Sequence, residues 1–306
     1  MPVVLQGIHH VTAITGDAAA NVRFHAGVLG LRLVKTTVNH DEPGAYHLYF
    51  GDEGGRPRTL ITFFEVPGAA PGQPGGGMFH SVAWRVADQQ ALDFWEQRLA
   101  AHGTATERGD DRLAFADPEG LSYVLMVRGT RDDDSPAQAD GVPPEHALRE
   151  IIGVEAMSLA PERSRAALVQ GLGMADLGES LVVGSGDHVG RVGLHPEPMS
   201  RGAQGAGTIH HVAFVSPDAD HKKWRERLTG GHLAPTQVVD RIYFKSVYAR
   251  EPGGLLVEVA TIGPGMTADE DPEVMGIALA LPPWLEPHRT SIEARLTPIQ
   301  NPRARG

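Results

Sequence analysis

The sequence predicts an α+β fold of four βαβββ modules, arranged as two domains of two modules each around mixed, curved sheets. Three observations carry that reading. The tetrapeptide Ile-His-His-Val occurs twice, at 8–11 and 209–212, and each copy opens a β-rich run, IHHVTAIT and IHHVAFVS. Both runs alternate poorly, as buried strands do. Each is followed by an Asp-led polar stretch and an amphipathic helix that stops at glycine, the expected helix punctuation.

The elements follow in order. The first helix runs from near Asp17 to Gly30, followed by the β-rich runs YHLYFG (46–51) and TLITFFEV (59–66). The second module opens at FHSVAWRV (79–86). Its helix spans Asp88 to about His102, stops at Gly103, and places Leu92, Trp95 and Leu99 on one face. RLAFADPEGLSYVLMV (112–127) supplies its later strands. The third module opens at VEAMSLA (154–160), with a helix from about Glu162 to Leu172 and then Gly173. The fourth has a helix from near Asp218 to Gly230, then RIYFKSVYAREPGGLLVEVAT (241–261). The modules thus begin near residues 7, 79, 151 and 208. The expected domains are 1–130 and 149–306, joined by a charged, Pro-rich linker at 131–148. A breaker-rich tail, 263–306, is expected to wrap one of them.

At 306 residues the length fits about two domains. There is no cysteine but there are 15 histidines. That excludes disulfides, Cys-ligated zinc, Fe–S clusters and a thiol nucleophile, so a transition metal would need His, Asp or Glu. A net charge of −11 disfavours nucleic acid. The basic run KKWRER (222–227) reads as the solvent face of a helix. No secretory leader and no membrane-length apolar run is visible, so a cytoplasmic location is expected.

Comparing the modules isolates candidate metal ligands. His10 and His211 share one column, which Ser81 takes in the second module and a small residue near Ala156 in the third. The Pro-x-Gly turns align EPGGLLVEVAT (251–261) with DPEGLSYVLMV (117–127), which sets Glu258 opposite Val124. Strand parity puts Leu255, Val257 and Val259 on one face, and Glu258 with Leu256 and Ala260 on the other. A buried carboxylate needs a metal or an ion pair, for which Arg241 or Arg250 would serve. Adjacent histidines on a strand point to opposite faces unless the strand bulges. Hence His10 and His211 are the expected ligands, with His9 and His210 beside or behind the site. Two imidazoles and one carboxylate leave open coordination positions and suit Fe(II), with Mn(II) as competitor. Glu65 is the rival carboxylate. His25, His40, His47, His80, His102, His146, His188, His195, His221, His232 and His288 are taken as surface or packing residues.

The segments GIHHVT, VKTTVN, YHLYFG, GTIHHVAF and REPGG together resemble the ring-cleaving dioxygenases of the vicinal oxygen chelate (glyoxalase/extradiol dioxygenase) superfamily. The para-hydroquinone group is the most similar, and the resemblance covers nearly the whole chain. It implies four βαβββ modules and the ligand set His10, His211 and Glu258. It also implies Tyr248, Arg241 and Thr12 near the metal, with His9 and His210 in its second sphere. Val257 and Met266 depart from a pattern in which Phe is usual. The implied activity is Fe(II)-dependent opening of a hydroquinone- or catechol-like diol by O2. Tyr248 and one of His9 or His210 would move protons, and Arg241 would orient anionic oxygen. The expected partners are a small aromatic diol and O2, with no nucleic acid and no membrane, and with a homo-oligomer open to it. Two alternatives stand beside this: a glyoxalase-type metal-dependent isomerase, and a non-catalytic module binding a quinone or another electrophile.

Overall fold

The computed structural model describes residues 3–40, 42–231 and 233–304; His232 lies outside them. The first module contains β1 (Ile8–Thr15), α1 (Ala18–Val22), β2 (Arg32–Val38), β3 (Tyr46–Gly51) and β4 (Leu60–Glu65). The second contains β5 (Met78–Val86), α2 (Gln89–Ala101), β6 (Thr106–Arg108), β7 (Arg112–Ala116) and β8 (Ser122–Val127). The third contains β9 (Ile151–Met157), α3 (Pro161–Leu172), β10 (Ala175–Asp176), β11 (Ser180–Ser185) and β12 (His188–Leu194). The fourth contains β13 (Ile209–Ser216), α4 (His221–Gly230), β14 (Val239–Asp240), β15 (Lys245–Arg250) and β16 (Leu256–Thr261).

The helix signals act as capping chemistry predicts, with one exception. The carboxylates of Asp17 and Asp88 accept from the Ala20 and Ala91 amides. Ala91, Leu92, Trp95 and Leu99 bury one face of α2. Gly173 ends α3 in the left-handed conformation, where a side chain would be strained. The α1 helix passes into a π-helical segment at Arg23–Val28 before Gly30. The exception is the fourth helix. Asp218 lies in a 3₁₀ turn (Asp218–Asp220), and its carboxylate accepts from the amides of Ile262 and Gly263 instead of capping. Within KKWRER, Trp224 is buried while Lys222 and Lys223 are exposed.

Two eight-stranded mixed sheets form, ordered β14-β15-β16-β13-β1-β4-β3-β2 and β10-β11-β12-β9-β5-β8-β7-β6. This corrects the expected grouping by sequence halves. The first sheet joins modules one and four, the second joins modules two and three, and each draws on both sides of 131–148. The joins are the antiparallel pairs β1–β13 and β5–β9. The Gly-rich segments before the second and fourth modules run backbone against backbone. A Cβ on Gly76 would lie 2.3 Å from the Met199 carbonyl oxygen, so no side chain fits there. The tail lies across module one: Arg32 donates to the Pro272 carbonyl, the Ala280 amide to that of Thr36, and Lys35 pairs with Asp269 at 2.6 Å.

Candidate metal centre

The opening strands of modules one and four meet side by side, with Thr12 opposite His211 and His10 opposite Ala213. The β13–β16 pair sets Glu258 beside Ala213. His10, His211 and Glu258 therefore arrive from three neighbouring strands, with their ligating atoms all within 4.8 Å of one another and all three residues buried. On the opposite face, Leu255, Val257 and Val259 join the main core, as strand parity requires. The register also corrects the third module's counterpart of His211. Val82 pairs with Val154 as Val11 pairs with Val212, so that counterpart is Gly153, not a residue near Ala156.

Both strands bulge at the first histidine of the pair. The β1–β13 register skips His9 on one strand and His210 on the other. A bulge breaks the strict alternation of faces, so each first histidine can reach its neighbour. The Nδ1 atoms of His9 and His10 are 2.9 Å apart, and those of His210 and His211 are 2.8 Å apart.

These contacts fix a tautomer. His9 Nε2 is 3.1 Å from the Thr261 carbonyl oxygen, which can only accept, so Nε2 carries the proton. Burial, with His10 adding, pushes His9 down to a pKa of about 3, so the ring is neutral and its Nδ1 accepts. His10 Nδ1 must then donate, so that the neutral form of the ring presents its lone pair at Nε2, 3.3 Å from the Glu258 carboxylate. A second imidazole fixing the tautomer of the first is common support for a metal ligand. Burial likewise lowers His210 to about 4.

The donor set fits a cation. His211 Nε2 approaches Glu258 Oε2 at 2.8 Å, yet neither buried atom has a hydrogen-bond partner. A lone pair on His10 faces the same carboxylate. Such convergence of acceptors is repulsive unless a positive charge sits between them. Burial works to raise the Glu258 carboxyl, and only positive charge beside it opposes that. Its other oxygen accepts from the Ser246 hydroxyl at 2.5 Å. The ion-pair partners weighed above are occupied elsewhere. Arg241 donates to the Tyr248 hydroxyl at 3.3 Å, and Arg250 to the Gly254 carbonyl. The rival Glu65 accepts from the amides of Tyr46 and Ala18, so it holds backbone.

The cavity over these donors measures about 20 Å³, and Thr12, Tyr248 and Arg241 line it. His9 and His210 do not; His9 sits behind His10, with both ring nitrogens engaged. Burial raises the Tyr248 hydroxyl, so it stays protonated. Phe244, 5.1 Å from the His10 ring, forms another wall.

Two histidines assigned to packing, His40 and His47, also line the cavity. His47 bridges the hydroxyls of Thr62 and Tyr49 at 3.1 Å each, and Thr62 lies 2.9 Å from Thr12. The period-two pattern of YHLYFG around His47 was the only available signal, because no module repeats that histidine. His25 packs as expected, between the Asn21 carbonyl and the Tyr123 hydroxyl.

The profile of the Glyoxalase/Bleomycin resistance protein/Dioxygenase superfamily matches residues 7–124. Over 96% of both chains, the protein is 40% identical to MhqO of Bacillus subtilis (strain 168), provisionally named a ring-cleaving dioxygenase. The chain belongs to this superfamily. Its relatives there include the chlorohydroquinone/hydroquinone 1,2-dioxygenase of Sphingobium indicum, 31% identical over 94% of each chain. A crystal structure of a provisionally named dioxygenase from Bacillus subtilis superposes with a TM-score of 0.91 at 39% identity, covering 98% of this chain and 99% of that one. No helix among the described residues is long and apolar enough to cross a membrane.

Proposed function

We propose that the protein is an Fe(II)-dependent ring-cleaving dioxygenase of extradiol type, acting on a hydroquinone- or catechol-like diol. The observation that carries this is the convergence of His10, His211 and Glu258 on one buried point, with no second carboxylate in the group. The relatives named as ring-cleaving dioxygenases support the reaction class. Held by these three side chains, Fe(II) supplies Lewis acidity toward a phenol oxygen and a redox-active centre open to O2; Mn(II) competes for the same donors.

The protein's own groups supply the rest. Glu258 contributes one negative charge, so a singly deprotonated diol would bring a divalent site to neutrality, which suits a buried pocket. The Tyr248 hydroxyl, protonated and anchored by Arg241, is placed to give a proton to oxygen developing above His211. Arg241 orients or stabilises anionic oxygen. His9 holds the His10 tautomer and is not a proton donor to substrate; His210 Nδ1 lies 2.8 Å from His211 Nδ1 and backs that ring. Thr12 reaches half-buried His47 through Thr62, a path along which a diol proton can leave. A cavity of about 20 Å³ has room for about one water, so the surrounding side chains must yield as the ring enters.

The test is oxygen uptake after anaerobic Fe(II) loading, with a panel of hydroquinones and catechols. At least one diol should drive uptake, and His211→Ala should abolish it. No uptake with any diol, or an unaffected His211→Ala protein, overturns the proposal.

A further inference from the structure

The second sheet repeats the scaffold of the first without its donors, and its corresponding face holds a cavity of about 680 Å³. That volume lies within the range of small-molecule sites. Ala83, Val124, Met126 and Val189 give it an apolar floor. Its charged lining is lopsided: Arg112, Arg128, Arg131 and Arg191 against the single carboxylate of Glu155. Arg128 pairs with Asp111 at 2.8 Å, and Arg131 with Glu150. Arg191 donates to the Ser180 hydroxyl, and neither it nor Arg112 has a carboxylate partner among the described residues.

We propose that this cavity binds a small organic monoanion with an apolar body, such as an aromatic or unsaturated carboxylate. The apolar floor would take the body, and Arg112 and Arg191 would take the anionic end. In a chain of net charge −11, a local excess of guanidinium groups creates an attractive field that the rest of the surface opposes. Glu155 does not cancel it. Its side chain folds over Gly193, where a Cβ would lie 2.0 Å from a carboxylate oxygen. Partial desolvation raises its pKa, although the side chain stays exposed. A protein partner is a poorer match, because none of the large exposed hydrophobic residues borders the cavity.

The experiment titrates metal-loaded protein with cinnamate and with its neutral analogue cinnamamide, by calorimetry and by the methyl resonance of Met126. Cinnamate should bind saturably and shift Met126, and cinnamamide should bind at least about tenfold more weakly. An Arg112→Gln/Arg191→Gln double variant should lose about tenfold or more in cinnamate affinity. Val124→Trp, which fills the floor, should do the same with the arginines intact. Equal binding of acid and amide overturns the proposal, as does a shift at Met266 without one at Met126. So does undiminished binding in both variants, or no binding at all.

Discussion

The two sheets share one backbone design and differ in what they hold. In the first, β1 and β13 bulge at His9 and His210. In the second, β5 and β9 bulge at the corresponding His80 and Ile152. The register makes Ser81 the counterpart of His10, Gly153 of His211 and Gly193 of Glu258. The bulged strand pair is therefore a property of the fold, and the metal-type centre is a property of three side chains placed on it. Where the donors are missing, so is the tight packing around them. The first sheet encloses about 20 Å³ above its donors, and the second leaves about 680 Å³ above small and apolar residues.

Removing a donor should separate the sheets most sharply. Glu258→Ala should lower metal affinity by more than about a hundredfold, exceeding the 10–100-fold typical of outer partners. Ser81→Ala, at the His10 column of the other sheet, should leave it unchanged. Anaerobic metal titration with stoichiometry reads both, and a metal loss in Ser81→Ala would end the claim that only one sheet carries a centre.

A smaller effect is expected at the bulges. His9→Gln lacks the neutral ring nitrogen that accepts from His10, so metal affinity should fall about 10–100-fold. His80→Gln, at the matching bulge, should change it less than about twofold. Equal effects would mean that the bulge, and not the imidazole, supports the donors.

The smallest expected effect lies at the seam between the sheets, where His25 of module one meets Tyr123 of module two at 2.8 Å. Burial lowers His25 from its ordinary value of 6.5 to about 3. Between those values the unfolded chain takes up a proton that the folded one refuses. Stability is therefore complete above pH 6.5 and declines as pH falls toward 3. One such group gives a slope of about 1.4 kcal/mol per pH unit. His25→Phe should be less stable at pH 7 and should decline less steeply by about that amount, as read by urea unfolding across pH 4–7. An identical slope would show that the ring is protonated in the folded protein.

Much of this was legible in the chain. Repetition of Ile-His-His-Val located the opening strands, caps located the first three helices, and parity chose the face of Glu258. These signals are local, set by backbone dihedrals, capping and alternation within a few residues. Asp218 misled because its carboxylate is used by Ile262 and Gly263, 44 and 45 residues away, a competition no local pattern reveals. His40 and His47 were hidden for a related reason: a lone histidine on a strand carries no sign of what faces it.

The sequence by itself determined the four modules, the opposing faces of their strands and the three side chains able to hold a cation. Only the tertiary structure decided that module one pairs with four and two with three, because strand edges of equal pattern can pair in several ways until packing selects one. It also decided that His9 turns toward His10 and not away from it. That depends on one extra residue in a strand pair, a register difference that exists only once both strands are in place.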